Sequence, residues 1–96
     1  MFVLRFHSRF LKKWEWYSSR DPSVDVSIAA ALKRLELDPL MPALRSHKVR
    51  DRNNRIVFSS RVTGDLRILW DYRDAEAHVI DLLDLGGHSG KRKVYR

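Results

Sequence analysis

Two arginines flank a short turn in the second half of the sequence, and together they have the chemistry to bind a phosphate group. Residues 63–65 are Thr-Gly-Asp, and the glycine favours a three-residue turn. Such a turn sets Val62 opposite Leu66 on one face of a hairpin. It sets Arg61 opposite Arg67 on the other face, whereas a two-residue turn would mix both arginines with apolar side chains. We therefore expect the three-residue turn and one face that carries both guanidinium groups.

Such an arginine pair requires a compensating negative charge. Directly opposed like charges destabilise a solvated sheet by about a few tenths of a kcal/mol. Two interpretations stay open for the compensation. One is a carboxylate of the chain, with Asp71 on the same face as the candidate. The other is a bound phosphate, which guanidinium groups recognise through paired hydrogen bonds.

Two helices are predicted before this hairpin. Apolar side chains recur at helical spacing in residues 7–20 and again in residues 24–35. The break between them, Asp21-Pro22-Ser23, offers an N-cap for the second helix, so the two helices should form an antiparallel pair. The residues expected in the core are Phe10, Trp14, Tyr17, Val24, Ile28, Ala31, Leu32 and Leu35.

Strand patterns account for most of the remaining chain. Residues 2–6 precede the helices, and residues 55–62, 66–73 and 77–85 follow them after an extended connection at 44–54. The order β-α-α-β-β-β predicts an α+β fold. In it, the N-terminal strand and the helical hairpin pack on a mostly antiparallel sheet.

The composition indicates one domain over residues 1–96, with a basic C-terminal tail at 89–96. The chain has no cysteine and a net charge of +7. Residues 45–96 contribute +5 of that charge, from twelve Lys and Arg against seven acids. A field of this sign attracts RNA, or equally an acidic protein. Because no stretch has the apolar character of a signal peptide or membrane span, we expect a cytoplasmic protein without membrane association.

Three stretches of this sequence resemble a known family. They are LDPLMPALRSHKVR, IVFSSRVTGDLRILWDY and IDLLDLGGH, with a tyrosine near the end of the chain. In this order they resemble the RelE/ParE superfamily of type II toxins, especially the RelE-like and YafQ-like mRNA interferases. The resemblance implies an endoribonuclease that cuts mRNA in the ribosomal A site and is inhibited by a cognate acidic antitoxin. It implies attack by the RNA's own 2′-hydroxyl, giving a 2′,3′-cyclic phosphate without a metal or other cofactor.

Five residues match catalytic positions of that family. Arg61 and Arg67 match the basic positions beside the turn and are assigned to the phosphate and its transition state. His88 matches the histidine after the last strand and is the leading general acid or base. Three roles stay open for Asp65: it orients a histidine, it acts as a base, or it is an ordinary turn aspartate. His47 matches the histidine of the connection; it is a proton-transfer group or simply a surface histidine, and which residue is acid or base stays open.

RNA contacts are expected from the connection, the arginine face and the tail. The residues are Lys48, Arg50, Arg61, Arg67, Lys91, Arg92, Lys93 and Tyr95. Six residues separate His88 from Tyr95, a longer spacing than the family's, so Tyr95 either stacks on a base or ties the tail to the sheet. Gly86 and Gly87 are expected to turn the backbone sharply and bring His88 over the sheet.

Two other functions are compatible with the same fold. One is a ParE-like gyrase inhibitor, which acts on a protein and catalyses nothing. The other is a catalytically inactive toxin-fold binding protein. The combination of His47, Arg61, Asp65 and His88 counts against the gyrase inhibitor. The four histidines are scattered, and no metal site is expected from their spacing.

Overall fold

The computed structural model describes residues 1–88 and 90–95, with only the backbone of Lys91. The elements in chain order are β1 (Val3–Phe6), α1 (Ser8–Arg20), α2 (Pro22–Leu37), a 3₁₀ turn (Pro42–Leu44), β2 (His47–Arg50), β3 (Ile56–Arg61), β4 (Leu66–Asp74), β5 (Val79–Gly87) and a second 3₁₀ turn (Gly90–Arg92). The two helices lie on one face of a five-stranded sheet, as the predicted α+β class requires.

Asp21 separates the two helices in the way that the sequence predicts. Its backbone N–H donates to the Tyr17 carbonyl at 3.1 Å and ends α1. Its carboxylate accepts from the Ser23 amide at 3.0 Å and caps α2, with Pro22 at the first helical position. Hydrogen bonds from the Ser23 hydroxyl and amide lower the pKa of Asp21.

A second carboxylate joins the two helices side by side. Asp25, in the first turn of α2, accepts from the Ser18 hydroxyl at 2.6 Å and from the Trp14 indole at 2.9 Å. These two hydrogen bonds, Ser18 first, lower the pKa of Asp25 because they stabilise the carboxylate. The expected antiparallel hairpin is therefore held by both packing and polar contacts.

The strand order is β1-β5-β4-β3-β2. β1 is parallel to β5, and the other three pairings are antiparallel. The sequence predicted only four strands, because residues 47–50 were expected to be an extended connection. They pair instead with β3, with His47 opposite Ser59 and Arg50 opposite Ile56. β2 is a short edge strand, and its charged sequence HKVR lacks the apolar pattern that marks the inner strands.

The hairpin register predicted from the turn is confirmed. Arg61 is opposite Arg67, and the Val62 amide donates to the Leu66 carbonyl at 2.9 Å. Ser60 is opposite Ile68 in the same register. One face of β3 and β4 therefore points to the helices, and the other carries the arginines.

The main core lies between the sheet and the helices. Its buried residues are Phe10, Ile28, Ala31, Leu32, Leu35, Leu44, Leu66, Ile68, Trp70, Ile80, Leu82 and Leu85. Ser60, buried within it, accepts from the Trp70 indole at 2.7 Å. Burial of each large apolar side chain stabilises the folded state by on the order of 1.5–3 kcal/mol.

A smaller apolar cluster covers part of the opposite face. Val57, Leu69 and Val94 are buried there, with Tyr95 packed against them. The C-terminal tail therefore returns to the sheet on the face that carries the arginines. Among the described residues, no helix is both long and apolar enough to cross a membrane.

Candidate functional site

The C-terminal tail forms one side of the site. β5 continues to Gly87, and Lys93 then pairs in parallel with Gly87 while Tyr95 pairs with Asp51. The prediction that Gly86 and Gly87 form the sharp turn is wrong, because both are strand residues. The left-handed backbone lies at Gly90, with φ 79°, where the second 3₁₀ turn begins.

Gly86 has a different function, which is to let the tail approach the sheet. A β-carbon at this position would collide with Val94 Cγ1 and lie 2.5 Å from the Arg92 carbonyl oxygen. Neither atom can move away easily, because one belongs to a buried side chain and the other to the backbone. The absence of a side chain at Gly86 therefore allows Tyr95 to reach the face of the sheet.

Replacing Gly86 with alanine should detach the tail. We expect a loss of about 1–3 kcal/mol in the free energy of unfolding, the usual cost of overpacking, and exposure of Val94. Chemical denaturation measures the first effect and hydrogen exchange of the Val94 amide the second. Gly64→Ala is the matched control, since a β-carbon at Gly64 meets no atom within 4 Å. Equal stability of the two variants would contradict this role of Gly86.

His88 is held beside the β3–β4 turn through its backbone. Its N–H donates to the Asp65 carbonyl oxygen at 2.8 Å and to Asp65 Oδ1 at 3.1 Å. The side chain of Asp65 thus positions the main chain of His88, and both residues are exposed. The orientation of the His88 ring by Asp65 stays a prediction, since both hydrogen bonds come from the backbone N–H.

Tyr95 connects His88 to the middle of the arginine face. Its ring meets the His88 ring edge-on, with centroids 5.3 Å apart and planes at 82°. Its hydroxyl is 2.5 Å from Ser59 Oγ, and Ser59 lies directly opposite His47. His47, Ser59, Tyr95 and His88 therefore form a row across the sheet.

The hydrogen bond of His47 favours one tautomer of its neutral ring. Its Nδ1 lies 2.9 Å from the Arg45 carbonyl oxygen. Since a carbonyl only accepts, Nδ1 is the protonated nitrogen of the neutral ring, and Nε2 carries the lone pair. In that neutral form the exposed His47 can accept a proton at Nε2.

Arg61 and Arg67 differ in the hydrogen bonds that their guanidinium groups make within the protein. Arg67 donates from Nη1 to the Thr63 carbonyl at 2.7 Å and the Leu66 carbonyl at 3.1 Å, and from Nη2 to the Gly64 carbonyl at 3.2 Å. Within residues 1–88 and 90–95, the Arg61 guanidinium has no hydrogen-bond or ion-pair partner. The turn carbonyls thus compensate Arg67, and Arg61 retains its full donor capacity.

The structure does not support the interpretation in which a carboxylate of the chain compensates the charges of Arg61 and Arg67. Asp71 Oδ1 accepts from the Tyr72 amide at 2.9 Å. Asp81, the other carboxylate considered as a partner of Arg67, pairs with Arg73 at 3.7 Å and lies 3.8 Å from His7 Nε2. Neither carboxylate is paired with Arg61 or Arg67 in the described part of the chain.

Some residues expected to contact RNA lie elsewhere. Lys48 is opposite Phe58, with Nζ 6.0 Å from the Phe58 ring, and thus points to the helix side of the sheet. Arg50 is on that same side and donates to the Asn54 carbonyl at 3.1 Å. The alternation of β2, which the sequence did not reveal, separates both cations from Arg61.

The tail cations have separate environments. Arg92 stacks on Trp16 of α1, with Cζ 3.6 Å from the ring centroid, and Lys93 is exposed nearby. The side chain of Lys91, like Ser89 and Arg96, lies outside the described residues. The role of Trp16 was not predicted, because it lies off the apolar stripe of α1 and its partner is distant in sequence.

The fold of the chain, rather than its sequence, is similar to that of known proteins. No family model matches the chain, and no curated protein matches its sequence significantly. Solved structures do match it over nearly its whole length. The chain has the RelE/ParE-like toxin fold that its sequence motifs predicted.

Three solved structures illustrate this similarity. A chain of the archaeal RelE–RelB complex from Pyrococcus horikoshii OT3 aligns with a TM-score of 0.71 at 17% identity, covering 92% of this chain and 96% of that one. The YoeB/ParE toxin from Agrobacterium tumefaciens gives 0.72 at 12%, covering 93% and 100%. YafQ from E. coli strain BL21(DE3) gives 0.67 at 13%, covering 91% and 93%. At such identities the likeness establishes the fold, so the activity must be argued from the site.

Proposed function

We propose that this protein is the toxin of a type II toxin–antitoxin system and cleaves mRNA on the ribosome, in the cytoplasm, without a metal. The observation that supports it most is the arrangement of His47, Arg61, Tyr95 and His88 on the face opposite the helices. This arrangement provides two proton-transfer groups and an uncommitted guanidinium. RNA cleavage by internal attack requires these groups.

The reaction needs only the removal of a proton from the 2′-hydroxyl and the addition of a proton to the 5′-oxygen. A base takes the proton of the 2′-hydroxyl, and the 2′-oxygen forms a bond to the adjacent phosphorus. The bond from phosphorus to the 5′-oxygen breaks, and an acid protonates that oxygen. The products are a 2′,3′-cyclic phosphate and a 5′-hydroxyl, so no water, electron or metal enters the balance.

The site residues take distinct roles in this proposal. His47, with Nε2 as proton acceptor, is the base, and His88 is the acid. Arg61 binds the phosphate and stabilises its charge in the transition state. Arg67 adds positive charge while holding the turn, and Asp65 positions His88. Tyr95 orders the site through its contacts with Ser59 and His88, and its half-buried ring stacks against a base.

An acidic antitoxin is the proposed protein partner. The RelE–RelB complex and the YoeB–YefM toxin–antitoxin heterotetramer from Staphylococcus aureus share this fold on the toxin side. The basic excess of residues 45–96 suits an acidic segment that covers the arginine face. An antitoxin segment that covers that face would prevent RNA from reaching Arg61, His47 and His88.

Ribosomes programmed with a defined message provide the test. We expect a cut within or next to the A-site codon, with a 2′,3′-cyclic phosphate on the 5′ fragment, and its suppression by an acidic antitoxin. A message with a single 2′-deoxynucleotide at the cut position is the control, because it lacks the nucleophile. An intact message at stoichiometric protein would refute the nuclease. Inhibition of gyrase supercoiling in the same preparation would support the ParE-like alternative.

A further inference from the structure

A second cationic site lies between α1, the turn that joins β2 to β3, and the tail. It is a cavity of about 160 Å³ lined by Lys13, Trp16, Tyr17, Arg52, Arg92 and Lys93. We propose that this tail–α1 pocket binds a phosphodiester group of the RNA, at a distance from the phosphate that is cleaved. The inference rests on the proposed function, since it extends the binding of the same RNA strand.

The charges of the pocket favour an anion. Lys13 is neutralised by Asp84 at 2.6 Å. Arg52 and Lys93 are exposed, and neither has an ion-pair partner among the residues that the structure describes. With Arg92, the pocket thus retains three positive charges in a small space. Their mutual repulsion in the free protein is relieved when a phosphate binds.

Trp16 fixes the orientation of the arginine in this pocket. The Arg92 Cζ lies 3.6 Å and the Arg20 Cζ 3.8 Å from the centroid of the Trp16 ring. Stacking occupies the flat face of a guanidinium and leaves its N–H edge available to an anion. Trp16 therefore holds Arg92 in a form suited to phosphate binding.

Two neutral donors are also among the lining residues of the pocket. Among the described residues, the indoles of Trp14 and Trp70 are bound to Asp25 and Ser60, whereas that of Trp16 has no acceptor. Tyr17 lies beside it, and its pKa is raised, chiefly by burial, so the phenol stays protonated. Both groups can therefore donate to a phosphate oxygen.

The size and position of the pocket point to a phosphate of RNA. A cavity of about 160 Å³ has room for a phosphate group. The backbone of Arg92 packs on Gly86, which is opposite Arg67. The tail therefore lies between the pocket and the arginine face, and one RNA strand can reach both.

The test compares two double variants that each remove two exposed cations. Arg52→Ala/Lys93→Ala alters the pocket, and Lys12→Ala/Arg34→Ala alters cations outside it. The probe is a 2′-O-methyl RNA heptamer, which cannot be cut. We expect the pocket variant to bind about 10-fold more weakly, with a log–log salt slope flatter by about 1.4, whereas the control stays within about twofold of wild type. Equal weakening of both variants, or of neither, would overturn the proposal.

The three indole N–H resonances provide a second measurement. Titration with the heptamer should shift the indole N–H resonance of Trp16 to a saturating value and leave the resonances of Trp14 and Trp70 unchanged. A Trp16 shift caused by a poly-glutamate decamer and not by the heptamer would overturn the proposal in favour of an acidic protein.

The binding experiment is independent of cleavage. If the wild type cuts no RNA but the heptamer binds with these signatures, the proposed activity fails and the phosphate site stands. If the wild type cuts RNA while the pocket variant binds the heptamer normally, the phosphate site fails alone.

Discussion

Replacing Arg61 with alanine should lower the rate of mRNA cleavage on the ribosome by about 10²–10³-fold, as loss of a donor to a transition-state oxyanion does. Within the described chain the Arg61 guanidinium makes no hydrogen bond or ion pair that its loss would disturb. The free energy of unfolding should therefore remain within about 0.5 kcal/mol of wild type. Single-turnover cleavage and chemical denaturation measure these two quantities.

Arg67→Ala is the informative comparison, because it removes the same charge from the facing position. Arg67 binds three carbonyls of the turn, and their loss should destabilise the protein by about 1–3 kcal/mol. Arg61→Lys keeps the charge but loses the forked donor, so we expect it to recover only part of the rate. Cleavage by Arg61→Ala at the wild-type rate would contradict the role of Arg61.

The facing arginines show what the sequence can predict. The register followed from two local facts, a glycine in a three-residue turn and an apolar alternation that must face a core. Both constraints act within a dozen residues, so no distant contact was needed. What compensates the charge was not predictable, because backbone carbonyls of the turn leave no mark in the sequence.

The edge strand shows where local patterns fail. β2 is four residues long, and three of them are His, Lys and Arg. Its strand conformation comes from pairing with β3 rather than from its own propensity. Because the strand was not predicted, the alternation of its side chains was unknown, and Lys48 and Arg50 were expected only as RNA contacts from an extended connection. His47 does lie on that side, opposite Ser59.

The tail shows that a glycine can be required by a contact with a later part of the chain rather than by a local turn. Gly86 and Gly87 suggested a turn, since glycine favours turns on local grounds. Gly86 is instead required by Val94 and the Arg92 backbone, which cross directly above it. The residues that separate His88 from Tyr95 include a 3₁₀ turn that returns Tyr95 to the sheet. The tail therefore brings Tyr95 to His88 despite the longer spacing.

Replacing either histidine with glutamine should lower cleavage by about 10²–10⁴-fold, the usual contribution of a general acid or base. His47→Gln and His88→Gln both keep a polar side chain of similar length, and both positions are exposed, so the fold should be preserved. Cleavage rates alone therefore do not distinguish the base from the acid.

A message with sulfur in place of the bridging 5′-oxygen at the cut position distinguishes them. A thiolate leaves without protonation, so loss of the acid no longer limits the reaction, whereas loss of the base still does. We expect His88→Gln to cut this message within about 10-fold of the wild-type rate, and His47→Gln to remain slow by about 10²-fold or more. The His47 tautomer, with Nδ1 held by the Arg45 carbonyl, is the reason for this order. Rescue of His47→Gln instead would reverse the two roles, and rescue of neither would remove His88 from proton transfer.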